Sequence, residues 1–158
     1  MWPQENVGES FPCGSISIDD LLSGLDHFDR GKLESIEDRI TMLPGKIVFA
    51  SGDPVLNIYV HLSGRATLVQ DSGANATVYS CPVGPHQIYG LIEALSESGF
   101  QMGMKTMTKS EFDVIDRGDF LDLIRSQPDV CFRLAEIVST LYQHGVCARV
   151  GSGGGVPN

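Results

Sequence analysis

A mainly β domain with helices at both ends is the fold class predicted by this 158-residue chain. Three observations predict it. The apolar runs Ile47–Phe49, 58–60 and 66–69 are of strand length and rich in β-branched and aromatic residues. Turn formers cut them apart at Pro44-Gly45, Gly52-Asp53-Pro54 and Ser63-Gly64. Sustained helical spacing is found mainly toward the two ends.

Residues 1–15 hold Pro3, Gly8, Pro12 and Gly14 without periodicity and are expected to form a loose arm. Ser17 is placed to cap a helix over 18–25, with Asp19 and Asp20 in the first turn where the dipole favours acids. Leu33, Ile36 and Ile40 predict a second helix over 31–39. In the strands that follow, Asp53-Pro54 makes a turn. Ser63-Gly64 is expected to reverse the chain between two strands that pair antiparallel.

Asp71 to Asn75 predicts a hairpin tip before a strand at 76–81. The breakers Pro82 to Pro85 lead through Gln87-Ile88-Tyr89-Gly90 into a short helix at 91–97. Strands are expected at 100–107 and 112–115, with Met102, Met104 and Met107 on one strand face as core filling. A helix over 117–125 presents Phe120, Leu121 and Ile124 to the core. The last helix opens at Pro128 with Ser126 as its cap, and carries the apolar stripe Val130, Leu134, Ile137, Val138 and Leu141. One domain therefore covers residues 16–146, and 147–158 is a Gly-rich flexible tail.

The formal charge of −9 disfavours non-specific attraction to nucleic acid. The first ten residues lack the basic and apolar regions of a signal peptide, and no apolar run reaches membrane-spanning length, so a cytoplasmic location and no membrane are expected. Cys13, Cys81, Cys131 and Cys147 are scattered, which fits reduced thiols better than a disulfide or metal framework. His27, His61, His86 and His144 have no metal-ligand spacing, and no nucleophile–base–acid set emerges. No metal, no cofactor and no enzymatic activity are expected.

Leu43, Pro44, Gly52, Asp53, Pro54, Tyr59, Val60, Gly64 and Arg65 form a pattern that resembles the opening of the cyclic-nucleotide-binding domain of the CRP/FNR family. The resemblance covers residues 18–143. It implies a double-stranded β-helix jelly roll of about eight strands, with N-terminal helices and a C-terminal helix. It also implies a phosphate-binding cassette, in which a short helix offers backbone N–H groups to the cyclic phosphate, a glutamate binds the ribose and an arginine pairs with the phosphate. That cassette maps onto Tyr89, Gly90, Leu91, Ile92, Glu93, Ala94 and Leu95, and onward to Phe100 and Gln101.

Leu91 stands where the ribose glutamate is expected, and Phe100 or Gln101 stands where the arginine is expected. From Ala66 through Met104 there is no Lys or Arg, while Asp71, Glu93 and Glu97 are present. Removing one partner of a desolvated charge pair costs about 2–5 kcal/mol. The expectation is a stand-alone regulatory or signalling module that does not bind cAMP or cGMP in the family manner and acts through an unidentified protein partner. The family's DNA-binding helix-turn-helix has no counterpart in residues 146–158, so no direct DNA binding is expected. A homodimer is expected through the last helix by its stripe. The alternatives are a small-ligand sensor of the same family acting through dimerisation, and a cupin-like enzyme, against which the scattered histidines argue.

Overall fold

The computed structural model describes residues 16–71 and 77–143; the expected arm, the tail and residues 72–75 of the hairpin tip lie outside them. The chain opens with β1 (Ile16–Ser17), α1 (Ile18–Ser23) and α2 (His27–Glu34). Ser17 caps α1 as its chemistry predicts, its side chain accepting from the Asp19 N–H. The second helix differs from expectation. Asp26 caps it, accepting from the Asp29 N–H at 2.8 Å, and Ser35 ends it. Residues 37–39, the expected end of the helix, instead begin strand β2 (Glu37–Met42). The helical spacing of Ile36 and Ile40 is overridden by a six-residue antiparallel register against β9 (Ser110–Asp116).

The remaining elements are β3 (Ile47–Phe49), β4 (Asn57–Ser63), β5 (Ala66–Asp71), β6 (Thr77–Val83), β7 (Gln87–Tyr89), α3 (Leu91–Ser96), β8 (Gly103–Thr106), α4 (Arg117–Ser126) and α5 (Pro128–Gln143). The strands form two antiparallel sheets, ordered β1-β7-β4-β9-β2 and β3-β8-β5-β6. This is a jelly roll. Its chain path corrects the expected hairpin at Ser63-Gly64, because β4 pairs with β7 and β9 while β5 pairs with β6 and β8. Ser63-Gly64 carries the chain from one sheet to the other. Gly64 has a φ of 88°, and a Cβ on it would meet the Lys109 carbonyl and Ser110.

Strand β8 begins at Gly103 rather than at residue 100. Phe100 instead donates its N–H to the Asp53 carbonyl at 2.9 Å, and its own carbonyl accepts from Gly52 at 2.8 Å. Those bonds hold the 52–54 turn without asking a donor of Pro54. Met102 and Met104 are buried, but Met107 is 54% exposed because it falls out of their two-residue period. Ser126 closes α4 and donates to the Leu123 carbonyl, so the cap expected of it passes to Gln127, whose carbonyl accepts from Val130 and Cys131.

Register assigns the two faces of the five-stranded sheet. Tyr59, His61, Tyr89 and Phe112 share the face turned to the second sheet, where Phe49 meets Tyr59 at 5.5 Å between ring centres. Ile58, Val60, Ile88 and Ile115 point the other way and are fully buried, so that face is covered as well. Leu21, Leu33, Phe120, Val130 and Leu134 of the helices belong to the same apolar core.

At the β2 edge Asp113 is buried and answered by Arg39, 3.0 Å away. Glu37 lies beside this pair. Burial, then the charge of Asp113 and a hydrogen bond to it, push the Glu37 carboxyl up to about 7. A folded-state value above the unfolded one means that the contribution is fully present below pH 4.5 and is lost as pH rises through 7. Urea melts of Glu37→Gln against the parent should therefore diverge between pH 5 and 8, with the variant gaining on the order of 1–2 kcal/mol after allowance for solvent. A constant difference across that range would contradict the assignment.

Candidate functional site

Strand β7 brings Tyr89 into the interior, and Gly90 turns the chain into α3. Gly90 has a φ of 93°, and a Cβ there would come 3.1 Å from Phe100 Cε1 and 3.3 Å from the Asn57 carbonyl. The next turn is largely apolar in what it buries. Leu91 and Ala94 are enclosed, Ile92 and Glu93 are half-buried, and Leu95 reaches the surface. The position expected to hold a ribose-binding glutamate therefore places a leucine in the core. Glu93 is two residues further on. Burial pushes its carboxyl above the ordinary range, while the N–H groups of Glu93 and Gln101 oppose the rise by favouring the ionised form. A carboxylate facing those amides takes up donors that an anionic ligand would need.

The sequence left the arginine position between Phe100 and Gln101. The structure places Phe100 inside and Gln101 at the surface, where its carbonyl accepts from Ser51 Oγ at 3.2 Å. Phe100 is stacked on Phe49, with ring centres 3.9 Å apart and planes 10° from parallel. Phe49 also lies 6.5 Å from Tyr89, and Tyr59 lies 6.4 Å from Phe100 and 6.3 Å from Phe112, edge to face. These rings form one cluster at the N-terminal end of α3. Such pairs add about 0.5–1.5 kcal/mol each beyond burial. The Tyr89 hydroxyl is enclosed with no hydrogen-bond partner among the described residues, and burial pushes its pKa upward.

The basic side chain with contacts to this segment among the described residues is Arg117. It donates from Nε to the Ala94 carbonyl at 2.9 Å and stands 3.8 Å from Glu97. Those contacts complement the negative, C-terminal end of α3, opposite the end where a phosphate would sit. Arg65 is exposed, and Lys105 is exposed on β8 beside the buried Met104, facing away from the interior.

Along α5 the expected stripe is divided. Val130, Leu134 and Ile137 are buried in the chain's own core, Val138 is half-buried, and the Leu141 side chain lies outside the described ones. Arg133 seats the helix against α1, donating to the Asp20 carbonyl and to Ser23 Oγ. Phe132, which was not in the predicted stripe, is 67% exposed. Neither this division nor the aromatic cluster had a linear signal. Phe49, Tyr59, Tyr89 and Phe100 come from separate segments, and only the pairing of the sheets brings them together.

Comparison with known proteins gives a consistent picture. The family model described as cyclic nucleotide-binding domain matches residues 39–127. The Catabolite Activator Protein of Thermus thermophilus superposes with a TM-score of 0.70 at 24% identity, over 80% of this chain and 59% of that one. The regulatory domain of Toxoplasma gondii PKA, crystallised with cAMP, gives a TM-score of 0.65 at 17% identity, over 78% of this chain and 47% of that one. At these identities the likeness is one of fold. A lysophospholipase, nte1, of Neurospora crassa is 25% identical over 95 residues, 60% of this chain but only 6% of that protein.

Proposed function

Because the chain belongs to the cyclic nucleotide-binding domain family, we propose that it is a non-enzymatic regulatory module whose nucleotide position is filled by its own aromatic side chains. It does not take up cAMP or cGMP in the family manner. The observation that carries this reading is the Phe100 ring, packed on Phe49 at one of the two adjacent positions where the resemblance expects a phosphate-binding guanidinium. Leu91 supports it by replacing a ribose-binding carboxylate with a buried aliphatic side chain. A cyclic nucleotide entering here would lose both polar partners and would have to displace packed rings. Either loss alone weakens binding by tens- to thousands-fold.

In this reading the module acts through contacts with another protein. The three stripe residues buried in the core are already used within the chain, so a contact along α5 falls to its outward face, which includes Phe132. Among the described residues no helix is long and apolar enough to cross a membrane. Thermal melts with and without about 1 mM cAMP or cGMP, roughly a hundredfold above a 10 µM dissociation constant, test the nucleotide half of the proposal. Unchanged melting temperatures are expected. A saturable rise with either nucleotide would overturn it.

A further inference from the structure

His61 is fully buried on β4, and among the described residues neither of its ring nitrogens has a hydrogen-bond partner. The ring stacks on Phe112 of β9, with centres 4.7 Å apart and planes 16° from parallel. A buried polar group without a partner is costly, and an imidazole can in addition take up a charge near neutrality. The carbonyls of Ser63, Gly64 and Gly84 lie near the ring and favour its protonated form, though none meets either nitrogen in hydrogen-bond geometry. Burial outweighs them and holds the ring's pKa below the ordinary 6.5.

Few charges bear on the ring. On β9 the flanking Glu111 and Asp113 alternate to the face opposite Phe112, where one accepts from Ser63 Oγ and the other pairs with Arg39. The second sheet contributes the buried Ala66, Leu68, Cys81, Val83 and Met104, of which only Cys81 can ionise. His86, exposed on the turn between β6 and β7, does bear on it, and its positive form opposes a second charge.

The same turn ties His61 to the N-terminal helices. The His86 N–H donates to the His61 carbonyl at 2.8 Å, and the His86 carbonyl accepts from the N–H of Ile18, the first residue of α1, at 2.8 Å. Between these bonds His86 holds a φ of 80°. A residue other than glycine keeps such a conformation only where its surroundings fix it. Helix α1 in turn receives Arg133 of α5 at the Asp20 carbonyl and Ser23 Oγ.

We propose that His61 is a proton switch: its neutral ring keeps the 84–86 turn closed over the interior, and protonation in mild acid opens that turn and frees the start of α1. A charged ring is best accommodated by water, and the partly exposed 84–86 turn is the cover it has to displace. Because the folded-state pKa lies below 6.5, the contribution of the neutral ring is complete above that pH and is lost as pH falls below it. Glu37 acts in the opposite sense.

Amide hydrogen exchange on the whole chain at a series of pH values on both sides of 6.5, corrected for the intrinsic pH dependence of exchange, tests the proposal. Protection of the Ile18 and His86 amides should fall by up to about tenfold per pH unit on the acid side. The Phe100 amide, by the Asn57 end of β4, should keep its protection. His61→Phe retains a planar ring for the stack on Phe112 and removes the titrating group, and His61→Leu does so with a smaller side chain. In either variant the protection of Ile18 and His86 should be level with pH. In the parent, the imidazole resonances of His61 should report a ring still neutral just below pH 6.5. A His61 ring that protonates at or above that pH with the fold intact, level protection at Ile18 and His86 in the parent, an equal loss at Phe100, or an unaltered pH dependence in the variants would overturn the proposal.

Discussion

Phe100→Arg, which restores the residue type that the family uses to hold a phosphate, is expected to unfold the domain or bring it close to unfolding. The substitution removes a ring that stacks on Phe49 at 3.9 Å and lies 6.4 Å from Tyr59. Truncating a buried Phe costs about 3–5 kcal/mol. Here a guanidinium would also have to be desolvated among packed aromatic rings. An unpaired buried charge adds a cost of similar size. The total is comparable with the roughly 5–15 kcal/mol that stabilises an ordinary domain. Phe100→Leu keeps the apolar character and should lose far less. Urea denaturation of the two variants measures the difference. A Phe100→Arg protein that stays folded within about 1 kcal/mol of its parent and binds cAMP would show that the space opens to a nucleotide after all.

Gly64→Ala should be the next most damaging substitution. Two effects act together at this crossing between the sheets. The backbone is in the left-handed region with a φ of 88°, and an added Cβ would lie 2.7 Å from Ser110 Cα as well as against the Lys109 carbonyl and the Ser110 hydroxyl. Backbone strain alone costs about 1–2 kcal/mol, and the clash with main-chain atoms brings the expected loss to about 3 kcal/mol or more. Gly45→Ala separates the two effects. Gly45 has a φ of 81° but open space around it, so only the conformational cost applies. Equal losses at the two glycines would show that the crossing can shift to make room.

These two positions also show what could be read in the linear sequence. The strands at 47–49, 58–60 and 66–69 were legible because apolar runs at strand length are local, and Ser17 was legible as a cap because capping is a contact between near neighbours. The partner of each strand was not. Ser63-Gly64 has the composition of a hairpin turn, and only competition with the pairing of β4 to β7 and β9 makes it a passage between sheets. Residues 37–39 failed for a related reason: the spacing of Ile36 and Ile40 fits a helix until β9 supplies six paired residues.

At the candidate site the absence of Lys and Arg between Ala66 and Met104 in the sequence already points away from anion binding. The opposite environments of adjacent Phe100 and Gln101, one inside and one at the surface, needed the structure. The aromatic filling needed it as well.

Isothermal calorimetry of the unmodified chain with cAMP and with cGMP tests the central claim most directly. With Phe100 and Leu91 in the core, no saturable heat is expected for either nucleotide up to about 1 mM. Saturable binding in the micromolar range, about −8 kcal/mol or tighter, would contradict it.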